Sequence, residues 1–155
     1  MNNNAIEILK ADHTKVRELL STLVQTTTRA VKQRAQLLDE IETELKIHTK
    51  IEEEIFYPAF KAANEKEHAA LYFEAFEEHR AVEKLVLPDL KKTDADSEKF
   101  SGRAKVLKEL VEHHADEEEK EMFAKAKKTM SKEDLLELGD LMATRKEELK
   151  SKLNS

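Results

Sequence analysis

His48 and Glu52 stand four residues apart, and so do His114 and Glu118. In an α-helix that spacing puts both side chains on one face, about 5–6 Å apart at Cβ. An imidazole and a carboxylate so placed can grip one metal ion, or one ion each of a pair. Between the two copies His79 is followed by Glu83 at the same spacing, and His13 stands alone near the start. Four of the six histidines carry a glutamate four residues on. A glutamate-rich chain supplies some such pairs by chance, but fewer than this.

The elements that must position these residues read as helices. The chain has 155 residues with only two Gly and two Pro, and 39% of it is charged. That composition favours an all-α protein, and the length fits a single domain over residues 1–155. A first helix is expected from about Ala5 to Thr26. Its apolar stripe is Ile6, Leu9, Val16, Leu20 and Leu23, with His13 in the same seam. Asn4 and Glu7 are spaced as a capping box. A second helix is expected from Val31 to Ala62, with His48 and Glu52 in the seam of Leu38, Ile41, Leu45 and Ile55. Pro58 should kink or stop it.

The third helix is expected from Glu65 to Val86 or a little beyond, where Pro88 ends or bends it. Its seam carries Tyr72, Phe76, His79, Glu83 and Val86. The fourth runs from Glu98 to Lys128 and places His114 and Glu118 among Ala104, Leu107, Val111 and Met122. Ser131 and Asp134 signal the start of a last helix, to about Leu153, which has no histidine and reads as a packing element. The expected architecture is an up-down-up-down four-helix bundle over about residues 5–128, with an additional C-terminal helix at about 132–153.

Antiparallel neighbours bring together residues equally far from their shared turn. Counted from turns near Thr28, Asn64 and Asp94, the polar seam positions differ in level by roughly 5–13 Å at 1.5 Å rise per residue. They can share one layer. His68 lies three turns from His79, roughly 16 Å, and His113 points about 100° off its seam. Tyr57 and Tyr72 read as packing residues rather than phenolate ligands. One buried histidine is ordinarily a hydrogen-bonded core residue, and an acidic run such as Glu52–Glu54 is ordinarily a solvated face. Buried glutamate, however, is costly unless paired or bound to metal. A purely structural bundle has no reason to gather four His and two Glu in one layer.

The absence of Cys excludes thiolate sites and disulfides and suits a reducing, cytoplasmic setting. Imidazole with carboxylate suits Fe, Mn or Zn. The His-Glu-x-x-His of zinc proteases is absent. The Glu-x-x-His of ferritin-like bundles occurs only at Glu65–His68, away from the other donors. A net charge of −6 argues against nucleic acid. No apolar run approaches the roughly 20 residues that span a membrane, and the first residues lack signal-peptide character.

The ordered set His13, His48-x3-Glu52, His79, His114-x3-Glu118 resembles the hemerythrin-like family of His–His–Glu cation-binding domains. Asp12-His13, the run ending in Ile-Phe-Tyr-Pro58, Glu78-His79-Arg80 and His113-His114-Ala-Asp-Glu-Glu118 have that family's look over about residues 5–128. The resemblance implies a bundle holding two non-haem iron ions, with Mn or Zn as alternatives. Glu52 and Glu118 would bridge the ions; His13, His48, His79 and His114 would be terminal ligands. Where oxygen-carrying members have a second histidine one turn after that of the third helix, this chain has Glu83. As an extra oxygen ligand Glu83 would favour the ferric state and disfavour simple O2 carriage. The implied function is binding of O2 or a related small oxidant, such as peroxide or nitric oxide, for storage, transport or sensing. Val16, Leu45, Phe76 and Val111 would keep water out. The alternatives are a peroxide- or nitric-oxide-detoxifying di-iron protein and a helical interaction module without functional metal.

Overall fold

A computed structural model describes residues 4–153, which form five helices and, among those residues, no strand. Helix α1 spans Ala5–Gln25, α2 residues 31–63, α3 residues 65–91, α4 residues 98–129 and α5 Lys132–Leu153. The first four form the expected bundle. Their apolar stripes bury two separate clusters, one towards each end. One contains Ile6, Leu9, Ile51, Phe56, Phe60 and Phe123. The other contains Val16, Leu20, Ile41, Leu90, Phe100 and Leu107. The polar seam residues lie in the layer between them, walled off from solvent along the bundle axis.

Chain ends and turns follow their local chemistry. Asn4 Oδ1 accepts from the Ile6 amide at 2.9 Å and caps α1. Ser97 Oγ does the same for α4, accepting from Phe100 at 3.2 Å. Ser131 and Asp134 exchange reciprocal bonds at the start of α5, Asp134 N–H to Ser131 Oγ at 3.0 Å and Ser131 N–H to Asp134 Oδ2 at 3.1 Å. At the far end of the bundle Arg34 is wholly buried and ties three segments together. It donates to Thr26 Oγ1 and Thr26 O, to Ala95 O and Ser97 O, and to Ser101 Oγ. Helix α5 packs across α1 and α2, burying Leu135, Met142 and Leu149, while Leu153 is exposed.

Neither proline stops its helix. Each of α2, α3 and α4 contains one wide π-turn, at Glu52–Phe56, Val82–Val86 and Glu118–Met122. Proline in an α-helix clashes with the carbonyl four residues back and lacks an N–H for it. In a π-turn the bond reaches five residues back, as from Tyr57 N–H to Glu52 O and from Leu87 N–H to Val82 O. Pro58 and Pro88 follow directly after these wide turns, and α2 and α3 run on to residues 63 and 91.

Candidate metal centre

All four seam histidines and both seam glutamates are buried, with Glu52 at 0% and Glu118 at 3% exposure. Their donor atoms form two groups, each compact enough for one ion: His13, His48, Glu52 and Glu118, and Glu52, His79, His114 and Glu118. Both glutamates belong to both groups. The histidines pair by helix: the rings of His13 and His48 lie 5.0 Å apart and those of His79 and His114 4.8 Å apart.

Every one of these imidazoles turns Nε2 inward and Nδ1 outward to a carboxylate. His48 Nδ1 meets Asp12 at 2.9 Å and His79 Nδ1 meets Glu53 at 2.7 Å. His114 Nδ1 meets Glu78 at 2.6 Å and His13 Nδ1 meets Glu119 at 2.7 Å. The arrangement is cyclic. Asp12 of α1 supports α2, Glu53 of α2 supports α3, Glu78 of α3 supports α4, and Glu119 of α4 supports α1. An Nδ1–H held by a carboxylate leaves the Nε2 lone pair free to coordinate, the usual support of a metal-binding histidine.

The inward atoms fit a metal better than they fit one another. His48 Nε2 and both oxygens of Glu52 are buried without a hydrogen bond of usable geometry. Yet His48 Nε2 and His79 Nε2 each lie 3.1 Å from Glu52 Oε1. Buried polar atoms are rarely left so. Atoms converging in this way on a common centre could hold an ion. In the metal-free chain protons must do the ion's work. Burial draws the His48 imidazole down, but the Glu52 carboxylate and the bond to Asp12 outweigh it and carry it up to about 10. Burial opposes and the Glu118 and Glu78 carboxylates raise His114 well above its ordinary value. Glu118 is pulled well below the carboxylate range by His114 and His13, against its burial. A metal ion held by these donors would replace the protons and release them.

Tyr57 is not a packing residue. Its ring is fully buried, and its hydroxyl donates to Glu118 Oε2 and lies 3.2 and 3.3 Å from Nε2 of His79 and His114. In a regular helix a residue five after Glu52 points well off its face; the π-turn between them brings it back. Tyr72 does pack, against Phe73 and Phe76. Glu83 belongs to neither donor group. The π-turn of α3 begins at Val82, three residues after His79, whereas those of α2 and α4 begin at the glutamate four residues after the histidine. Val82 and Glu83 therefore both face a cavity of about 40 Å3 beside the histidines, which Val16, Leu45 and Val111 also line. Phe76 is not part of that wall; it packs on the Tyr57 ring. His68 stacks on Phe60 and bonds to Phe60 O at 2.6 Å, remote from the centre. His113 is exposed and pairs with Glu117 at 3.0 Å.

The four outer carboxylates and Tyr57 are absent from a reading by seam periodicity. Their signal is adjacency: each carboxylate is the sequence neighbour of a donor, Asp12 of His13, Glu53 of Glu52, Glu78 of His79 and Glu119 of Glu118.

The model of the hemerythrin HHE cation binding domain matches residues 4–126, which hold every donor just described. The chain belongs to that family. Among its relatives, uncharacterized proteins of Mycobacterium tuberculosis and Mycobacterium bovis are each 33% identical over 151 residues, 95% of this chain and 88% of theirs. The crystal structure of an HHE cation binding domain-containing protein from Mycobacterium kansasii has a TM-score of 0.83 at 32% identity, covering 96% of this chain and 88% of that one. The fold is thus the HHE bundle with its C-terminal helix, and the buried His/Glu cluster is a site able to hold metal. No helix among the described residues is long and apolar enough to cross a membrane.

Proposed function

We propose that this HHE domain holds two iron ions and uses them to bind O2 or a related small oxidant. The observation that carries the reading is the sharing of Glu52 and Glu118 between two four-residue donor groups. His13 and His48 would hold one ion, His79 and His114 the other, and the two glutamates would bridge them. A pair of irons supplies reversible electron transfer to a small oxygen species.

The residues around the donors support that chemistry. Asp12, Glu53, Glu78 and Glu119 fix each imidazole with Nε2 inward. Val16, Leu45, Val82 and Val111 make the cavity wall apolar and keep bulk water from the donors. At about 40 Å3 the cavity has room for a few water-sized atoms, which suits a diatomic molecule or peroxide and not an organic substrate. Tyr57 orients Glu118 by its hydrogen bond and presents a hydroxyl, held protonated by burial and by the Glu118 and Glu52 charges, at the His79/His114 position.

Detoxification of peroxide or nitric oxide is the second reading, and Tyr57 and Glu83 favour it: Tyr57 places a protonated hydroxyl beside the donors, and Glu83 places a polar side chain on the cavity wall. The test is addition of O2 to the anaerobically reduced, iron-loaded protein with the visible spectrum followed. A stable spectral adduct that reverses on removing O2 supports binding. Immediate oxidation with no adduct moves detoxification ahead. A chain that takes up no iron overturns both.

A further inference from the structure

The carboxylates behind the four histidines differ in what stands behind them. Asp12, which holds His48, forms an ion pair with Lys146 of α5. Glu119, which holds His13, forms one with Arg17 at 3.2 Å, and Arg17 also reaches Asp116 at 2.7 Å. Glu53 and Glu78, which hold His79 and His114, have no Lys or Arg within ion-pair distance among the described residues. Beyond His114, Glu78 meets the exposed His113, at 3.8 Å, and the Glu117 carboxyl, neither of them a Lys or Arg. The two donor groups match in their His and Glu donors, apart from the Tyr57 hydroxyl at His79 and His114, and differ in their outer charge.

We propose that Arg17 and Lys146, which touch no donor, act through Glu119 and Asp12 as positioning residues that make the two metal positions electrically inequivalent. The inference rests on the two-ion reading above. A carboxylate accepting Nδ1–H pushes electron density onto the imidazole and strengthens Nε2 as a donor. A cation on the carboxylate's far side draws that density back. The ion between His13 and His48 therefore meets weaker donors and favours the lower oxidation state. The ion between His79 and His114 meets donors whose carboxylates pair directly with no Lys or Arg among the described residues, and favours the higher one. A half-oxidised centre keeps its reduced ion at His13/His48. The C-terminal helix gains a role beyond packing, because Lys146 is its contribution to the centre.

The test uses the full chain loaded with iron. Metal content is measured first, then the midpoint potentials of the two one-electron steps by spectroelectrochemical titration. Lys146→Met and Arg17→Met are each expected to retain two ions and to shift the more positive of the two potentials downward, narrowing the gap between the steps. Lys146→Arg restores the wild-type value. Arg145→Met removes a neighbouring α5 ion pair, with Glu54 at 2.8 Å, and leaves both potentials in place. A merely structural Lys146 would loosen the site, with lost metal or potentials that drift upward. Unchanged or raised potentials in both Met variants, with two ions bound, overturn the inference and leave the two-ion reading standing. A wild-type chain with fewer than two ions overturns both.

Discussion

Replacing His48 by Gln should flatten the pH dependence of the metal-free protein's stability. In the folded metal-free chain this imidazole is carried up to about 10 by Glu52 and Asp12 against its burial. In the unfolded chain it titrates near 6.5. A folded pKa above the unfolded one means stability fully present below pH 6.5 and lost as pH rises towards about 10. Across pH 7 to 9 the folded chain holds a proton that the unfolded chain lacks. Each pH unit there costs about 1.4 kcal/mol. Over the two units the loss is about 2.7 kcal/mol, or about 5–11 °C in Tm for a chain of this size. His79 and His114, also raised by their carboxylate partners, add in the same direction. Thermal melts of chelator-treated protein at pH 7, 8 and 9 check this. The wild type should fall by at least that amount, and His48→Gln should fall less steeply. Parallel profiles would refute the protonated, ion-paired account of the empty centre. The metal-loaded protein has neutral imidazoles in both accounts and should show no comparable decline.

Tyr57→Phe should fold and keep its metal, with an altered visible spectrum, because only the hydroxyl facing Glu118, His79 and His114 is lost; an unchanged spectrum would return Tyr57 to the packing residues. Arg34→Met should lower Tm by about 6–12 °C without altering metal content. It strands half-buried acceptors at Thr26, Ala95 and Ser97, at a cost of about 3 kcal/mol, and calorimetry of the loaded and metal-free forms would measure both effects. Glu83→Ala should leave metal stoichiometry intact and change the rate at which azide or an oxidant reaches the centre, read by stopped-flow absorbance; loss of an ion would make Glu83 a ligand after all.

The sequence was most legible where one periodicity governs. The seams of α1 to α4 follow the helical repeat, so His13, His48, Glu52, His79, His114 and Glu118 could be placed in one layer before any coordinates. Counting from turns sufficed because the connections at Thr26–Ala30 and Asn64 are as short as expected. The π-turns broke that regularity. A single wide turn rotates every later residue, so Tyr57 enters the centre while Glu83 falls outside both donor groups. The prolines hinted at two of these turns, yet a missing N–H alone does not distinguish a stopped helix from a widened one. The outer carboxylates were hidden for another reason. Each faces the neighbouring helix, and no pattern within one helix reports what the next one offers. Lys146 is the extreme case, since its partner Asp12 lies 134 residues away.

The most direct test of the account is an anaerobic titration of the metal-free chain with ferrous iron, followed by dialysis and counting of bound metal. Two ions per chain for the wild type, with a step lost in His114→Ala, is the predicted result. Fewer than two ions in the wild type, or an unaltered count in His114→Ala, would contradict it.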